Sequence, residues 1–106
     1  MIEKVVNGMK FRFDNGGTDE ELAVANIYEE KFNDIAEYIS QDESIKIFFG
    51  NLSKDDIIVG LNEPTIRIIG DGGVLSYCNH SFDNVHIIDL EFGGKLEDFY
   101  EVSIDG

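Results

Sequence analysis

Residues 18–40, TDEELAVANIYEEKFNDIAEYIS, read as one long amphipathic helix, and their reading decides how the rest of the chain must pack. Thr18 is a good N-cap, Glu21 stands where a capping box needs its carboxylate, and Asp19 and Glu20 meet the positive end of the helix dipole. At helical spacing, Val24, Ala25, Tyr28, Phe32, Ile35, Ala36 and Ile39 share one broad face. That face predicts core. Asn26, Glu30, Asn33, Asp34 and Glu37 fall opposite, as a solvated ridge. Glu30 and Asp34, and Asp34 and Glu37, are like charges one turn apart, so the ridge weakens its own helix slightly while offering a negative surface to a partner.

Outward toward the N-terminus, Glu3 to Val6 and Met9 to Phe13 are β-prone runs flanking Asn7-Gly8, the strongest two-residue hairpin signal. Asp14-Asn15-Gly16-Gly17 then breaks the strand and delivers the chain to Thr18. Asp14, Gly16, Thr18 and Glu20 share residue types with a calcium loop, but the alternating ligands, central Gly and closing Glu of an EF-hand are not in place, so the segment reads as a turn.

Outward in the other direction, Gln41-Asp42-Glu43 is a polar link, and Ile45-Lys46-Ile47-Phe48-Phe49 predicts a strand stopped by Gly50-Asn51. Ser53 to Asn62 admits two readings. Ser53 with Asp56 resembles a helix N-cap with early acids, whereas Ile57-Ile58-Val59 is β-branched and ends at Gly60; a short helix is the expectation. After Pro64, Thr65 to Ile69 reads as a strand, Gly70-Asp71-Gly72-Gly73 as a turn, and Val74 to Asn79 as the next strand. The glycine cluster is no phosphate loop, since VLSYC follows it instead of a helix with its lysine.

The final segments, Val85 to Phe92 and Leu96 to Ile104, alternate around Gly93-Gly94-Lys95 and predict a hairpin with a three-residue connection. Such a register pairs Phe92 with Leu96, Leu90 with Asp98, Ile88 with Tyr100 and His86 with Val102. Ile88, Leu90, Phe92, Leu96, Tyr100, Val102 and Ile104 then share the core face. Ile87, Asp89, Glu91, Glu97, Phe99, Glu101 and Ser103 share the other, where Ile87 and Phe99 stand framed by acids. Apolar residues framed by charge of one sign make a candidate contact surface, although cover by the opening hairpin or the second helix accounts for the same pattern.

The charge narrows the function. Across 106 residues, 22 Asp and Glu against 8 Lys and Arg give a formal −14, spread from Glu3 to Asp105. A folded domain with such a field repels nucleic acid and anionic membranes and attracts basic proteins with salt-sensitive rates. The length suits a single domain over residues 1–106. The lone Cys78 forms no internal disulfide, and neither a signal peptide nor a membrane span is legible, so a cytoplasmic protein is expected.

Chemistry has thin support. His80, Asp83 and His86 are the one cluster of metal-ligand types, spaced three apart at a loop entering a strand, and would suit a small zinc-dependent enzyme or ligand-binding domain. The cluster lacks a helical HExxH arrangement, and the predicted register turns His86 to the core, so hydrogen-bonded structural histidines are the plainer reading and no cofactor or metal is expected. Cys78 beside either histidine reads as a small buried thiol rather than a nucleophile.

The ending HIIDLEFGGKLEDFYEVSIDG, residues 86–106, together with the small size and acidity, resembles the small immunity proteins that bacteria make against their own or a neighbour's secreted toxins. The resemblance implies a non-enzymatic, stoichiometric inhibitor that plugs a toxin's active site or nucleic-acid groove; it transfers no functional residue. The expectation is an α+β domain: an antiparallel sheet of hairpins packed against one long helix, with a second short helix, that binds a basic toxin or nuclease. The hairpin face (Ile87, Asp89, Glu91, Glu97, Phe99, Glu101) is the expected binding surface, with the helix ridge (Glu30, Asp34, Glu37) mainly steering the partner and standing as the alternative surface. A metal-dependent domain using His80, Asp83 and His86, or a structural subunit of a larger complex, are the alternatives.

Overall fold

A computed structural model describes residues 2–106. Strands β1 (Ile2–Val6) and β2 (Met9–Phe13) close on Asn7 and Gly8, whose φ angles of 52° and 80° are the paired positive values that a type I′ turn needs. Helix α1 (Asp19–Ser40) starts in a full capping box: the Thr18 hydroxyl accepts the Glu21 N–H at 3.2 Å, and Glu21 Oε1 accepts the Thr18 N–H at 2.8 Å. Two short helices follow, α2 (Glu43–Phe49) and α3 (Lys54–Gly60), the latter capped by Ser53 and Asp56 as expected. The chain ends in strands β3 (Thr65–Ile69), β4 (Gly72–Tyr77), β5 (Ile87–Gly93) and β6 (Asp98–Asp105).

These strands form one six-stranded sheet in chain order. Every neighbouring pair is antiparallel except β2 and β3, which run parallel through Arg12↔Thr65 and Phe13↔Ile66. A parallel pair needs a long crossover, and the three helices are that crossover, so they lie together against one face. Phe11, Phe13, Ile66, Leu75, Tyr77, Ile88, Leu90, Phe92 and Val102 meet Val24, Ala25, Tyr28, Ile35, Ala36 and Ile39 of α1 in a single core, closed by Ile45 and Ile57 of the short helices. At its centre the Tyr28 and Tyr77 hydroxyls meet at 2.6 Å, and burial holds both phenols well above their usual pKa. No helix among the described residues is long and apolar enough to cross a membrane.

Several expectations are corrected. Ile45 to Phe49 is helix, not strand, because Asp42 caps its start on the Ser44 N–H at 2.8 Å, Gly50 closes it at φ 83°, and only Ile45 and Phe49, one helical turn apart, pack inward. The final hairpin is paired Leu90↔Val102 and Ile88↔Ile104, four residues from the predicted register. Its connection runs from Gly94 to Glu97, and Leu96 enters the core from that turn with φ 61° instead of from the strand. A bulge at Glu91/Phe92 then pairs Phe92 with Phe99, sending Phe99 to the helix side and Tyr100 to the opposite face. Finally, β4 ends at Tyr77, and Cys78 is exposed.

Candidate functional site

Among the described residues, one face of the sheet carries helices and the other carries none. Read along the ladders, the open face presents Glu3 and Val5 on β1, Lys10 and Arg12 on β2, Arg67 and Ile69 on β3, Val74 and Ser76 on β4, then Ile87, Asp89 and Glu91 on β5, and Asp98, Glu101, Ser103 and Asp105 on β6. The face is therefore polarised. Its cations stand on β2 and β3, where Arg12 is 3.7 Å from Glu3 and Arg67 is 3.6 Å from Asp14. Among the described residues, its β5–β6 half carries acids and no cation.

Of the predicted hairpin-face residues, Ile87, Asp89, Glu91 and Glu101 lie together on this open face. Glu97 lies in the turn, where its Oε1 accepts the Lys95 N–H at 3.3 Å. Phe99 lies on the other side, its ring centroid 5.5 Å from that of Tyr38. There it lines a shallow hollow with Asp34, Glu37 and Gln41, so the structure brings the helix ridge to Phe99 and not to the hairpin's outer acids. Glu30, Asp34 and Glu37 are exposed, as expected.

Tyr100, which sequence reasoning turned inward, takes the place predicted for Phe99. It is 59% exposed and lies across Gly93, where a Cβ would stand 2.2 Å from its hydroxyl. Gly72 pairs with Gly93, and around them Ile69, Val74, Glu91 and Tyr100 line an open hollow of about 400 Å³. Asp98 and Asp105 also join the face. The signal for this arrangement was the recurrence of glycine pairs at 72–73 and 93–94, which marks where backbones are left bare on paired strands; a bulge has no comparable sequence mark.

Asp89 is an acid of this face whose burial opposes its charge. Burial pushes its carboxyl pKa above the usual range and the nearby Asp105 carboxylate adds to the shift, while Ser76 and Arg67 offset part of it. Among the described residues, Asp89 Oδ1 has no hydrogen-bond partner although it is buried.

His80, Asp83 and His86 do gather, each engaged in local hydrogen bonds. His80 is buried with both ring nitrogens engaged, Nε2 on the His86 carbonyl at 2.7 Å and Nδ1 accepting the Phe82 N–H at 3.2 Å, the pattern of a neutral imidazole. Asp83 Oδ1 accepts the backbone N–H groups of Val85 and His86 at 3.1 and 3.0 Å, and its Oδ2 holds His86 Nδ1 at 2.6 Å. The His86 backbone and ring together hold the Asp83 carboxyl down at about 2. Phe48 and Phe49 flank the His86 ring at centroid distances of 5.1 and 6.3 Å. Among the described residues, no three His, Cys, Asp or Glu side chains converge as a metal site would require. Compared with known proteins, the chain matches no protein-family model, no curated protein and no solved structure.

Proposed function

We propose that this chain is a non-enzymatic acidic binding protein, a stoichiometric inhibitor of the immunity type that acts in the cytoplasm on a basic toxin or nuclease. The observation that carries the reading is the uncovered β5–β6 half-sheet, where Tyr100 stands exposed on the same face as Asp89, Glu91, Asp98, Glu101 and Asp105. An aromatic anchor inside a charged frame is the composition of a binding hot spot, and acids of one sign select a cationic partner over nucleic acid. The ridge of Glu30, Asp34 and Glu37 adds long-range attraction to the same partner.

Affinity purification from the source cell at low and high ionic strength tests this. A basic protein retained at low salt and released at high salt is the expected result, and a salt-indifferent partner contradicts it. Such a partner would favour the reading of a structural subunit. That reading has its own observation, the exposed Ile47 and Phe48 of α2, at 77% and 52%.

A further inference from the structure

We infer that the hollow over Gly72 and Gly93 is a socket for one arginine side chain of the basic partner, its guanidinium lying against the Tyr100 ring and paired with the Glu91 carboxylate. The inference rests on the binding reading above and names the chemistry that the surface takes.

The socket is built by three features of the sheet. The bulge at Glu91/Phe92 brings Tyr100 to the open face, and Gly93 leaves the space that its ring occupies. Gly72, cross-strand from Gly93, lets the two backbones that floor the hollow approach closely; a Cβ there would stand 2.1 Å from the Phe92 carbonyl oxygen. Ile69 and Val74 wall the hollow with apolar surface, and Glu91 and Asp71 supply its charge. Among the described residues no Lys, Arg or His lines it, and Arg67, the cation on the adjoining strand of that face, is drawn to Asp14 at 3.6 Å.

An exposed aromatic ring, apolar walls and carboxylates without a counter-cation complement a guanidinium in each respect. The planar group stacks on the ring, its fork matches a carboxylate, and its alkyl stem covers apolar wall. An anion would meet Glu91 and Asp71. A purely apolar side chain would desolvate those carboxylates without pairing them.

The test is an amide-resolved NMR titration of the full chain with an acetylated, amidated hexa-arginine peptide at low ionic strength, with hexa-lysine in parallel. Saturable shifts at Gly72, Glu91, Gly93 and Tyr100 are expected, with affinity about five-fold lower or worse in Tyr100→Leu and in Glu91→Gln, and weaker binding of the lysine peptide. Both side chains are exposed, and the Glu91→Gln variant keeps the test decisive if Tyr100→Leu disturbs the fold. Shifts spread without saturation over Glu30, Asp34 and Glu37, or wild-type affinity in both variants, would overturn the socket. The inhibitor reading would survive that outcome if the cell still yields a basic, salt-released partner. Saturation at the hollow without such a partner would support the socket and sink the inhibitor reading alone.

Discussion

Glu21 ties the start of α1 to the turn before it. Its side chain is fully buried, and its two oxygens accept the backbone N–H groups of Asn15, Gly17 and Thr18 at 2.8, 2.9 and 2.8 Å. Burial alone would raise its pKa, but those donors outweigh burial and hold the carboxyl below its usual range. Glu21→Ala would strand three donors, so urea denaturation at neutral pH should show a loss of about 2–3 kcal/mol. Because the folded pKa is depressed, the stability Glu21 provides is present above its unfolded pKa and fades as pH falls through the folded one. The deficit of the variant should therefore shrink in acid. Asp89 has the opposite sign. Its raised folded pKa means that its contribution is present below the unfolded pKa and lost as pH rises through the folded value. Asp89→Asn should thus melt higher than wild type at neutral pH, with the advantage disappearing toward acid; thermal melts across that range decide it. The capping role of Glu21 was legible from Thr18 three residues before it, whereas the shift of Asp89 was not, since it arises first from burial in the sheet and then from Asp105, sixteen residues along the chain.

Elements with strong local chemistry were readable, and those decided by tertiary partners were not. The α1 face, the Asn7-Gly8 hairpin and the Ser53 cap each follow from side chains within a few residues. In α2 the β-prone Ile-Lys-Ile-Phe-Phe run concealed two end signals, Asp42 before it and Gly50 after it, and those caps prevailed over propensity. The β5–β6 register failed for a different reason. Leu96 adopts a left-handed backbone, uncommon for a non-glycine residue, because the position buries its side chain, and that lengthens the turn beyond its glycines. The bulge then exchanges the roles of Phe99 and Tyr100. Two substitutions separate those roles. Phe99→Ala should cost about 1.5–3 kcal/mol through lost packing on Tyr38 and the core. Tyr100→Ala, at an exposed position, should change stability by no more than roughly 0.5 kcal/mol. Equal destabilisation by the two in chemical denaturation would contradict the bulge assignment.

At the scale of the molecule, the layer order puts every helix on one face and leaves the other to solvent, and a net charge of −14 surrounds both. The α+β class and the charge were legible in composition and periodicity. Alternation alone placed Asp89, Glu91 and Glu101 on the open face, whereas the bulge and the longer turn decided that Asp98 and Tyr100 join them. In the function proposed above, two surfaces divide the work: the open half-sheet with its exposed Tyr100 would anchor the partner, and the exposed α1 ridge would steer it from a distance. Binding kinetics of the captured basic partner on wild type, Tyr100→Ala and the double variant Glu30→Lys with Asp34→Lys measure that division directly. Tyr100→Ala should dissociate about ten-fold faster or more, with association little changed. The double variant should associate more slowly at low salt and match wild type at high salt, where the Debye length falls to about 3 Å. If Tyr100→Ala dissociates like wild type while folding normally, the open half-sheet does not anchor the partner and the account is wrong.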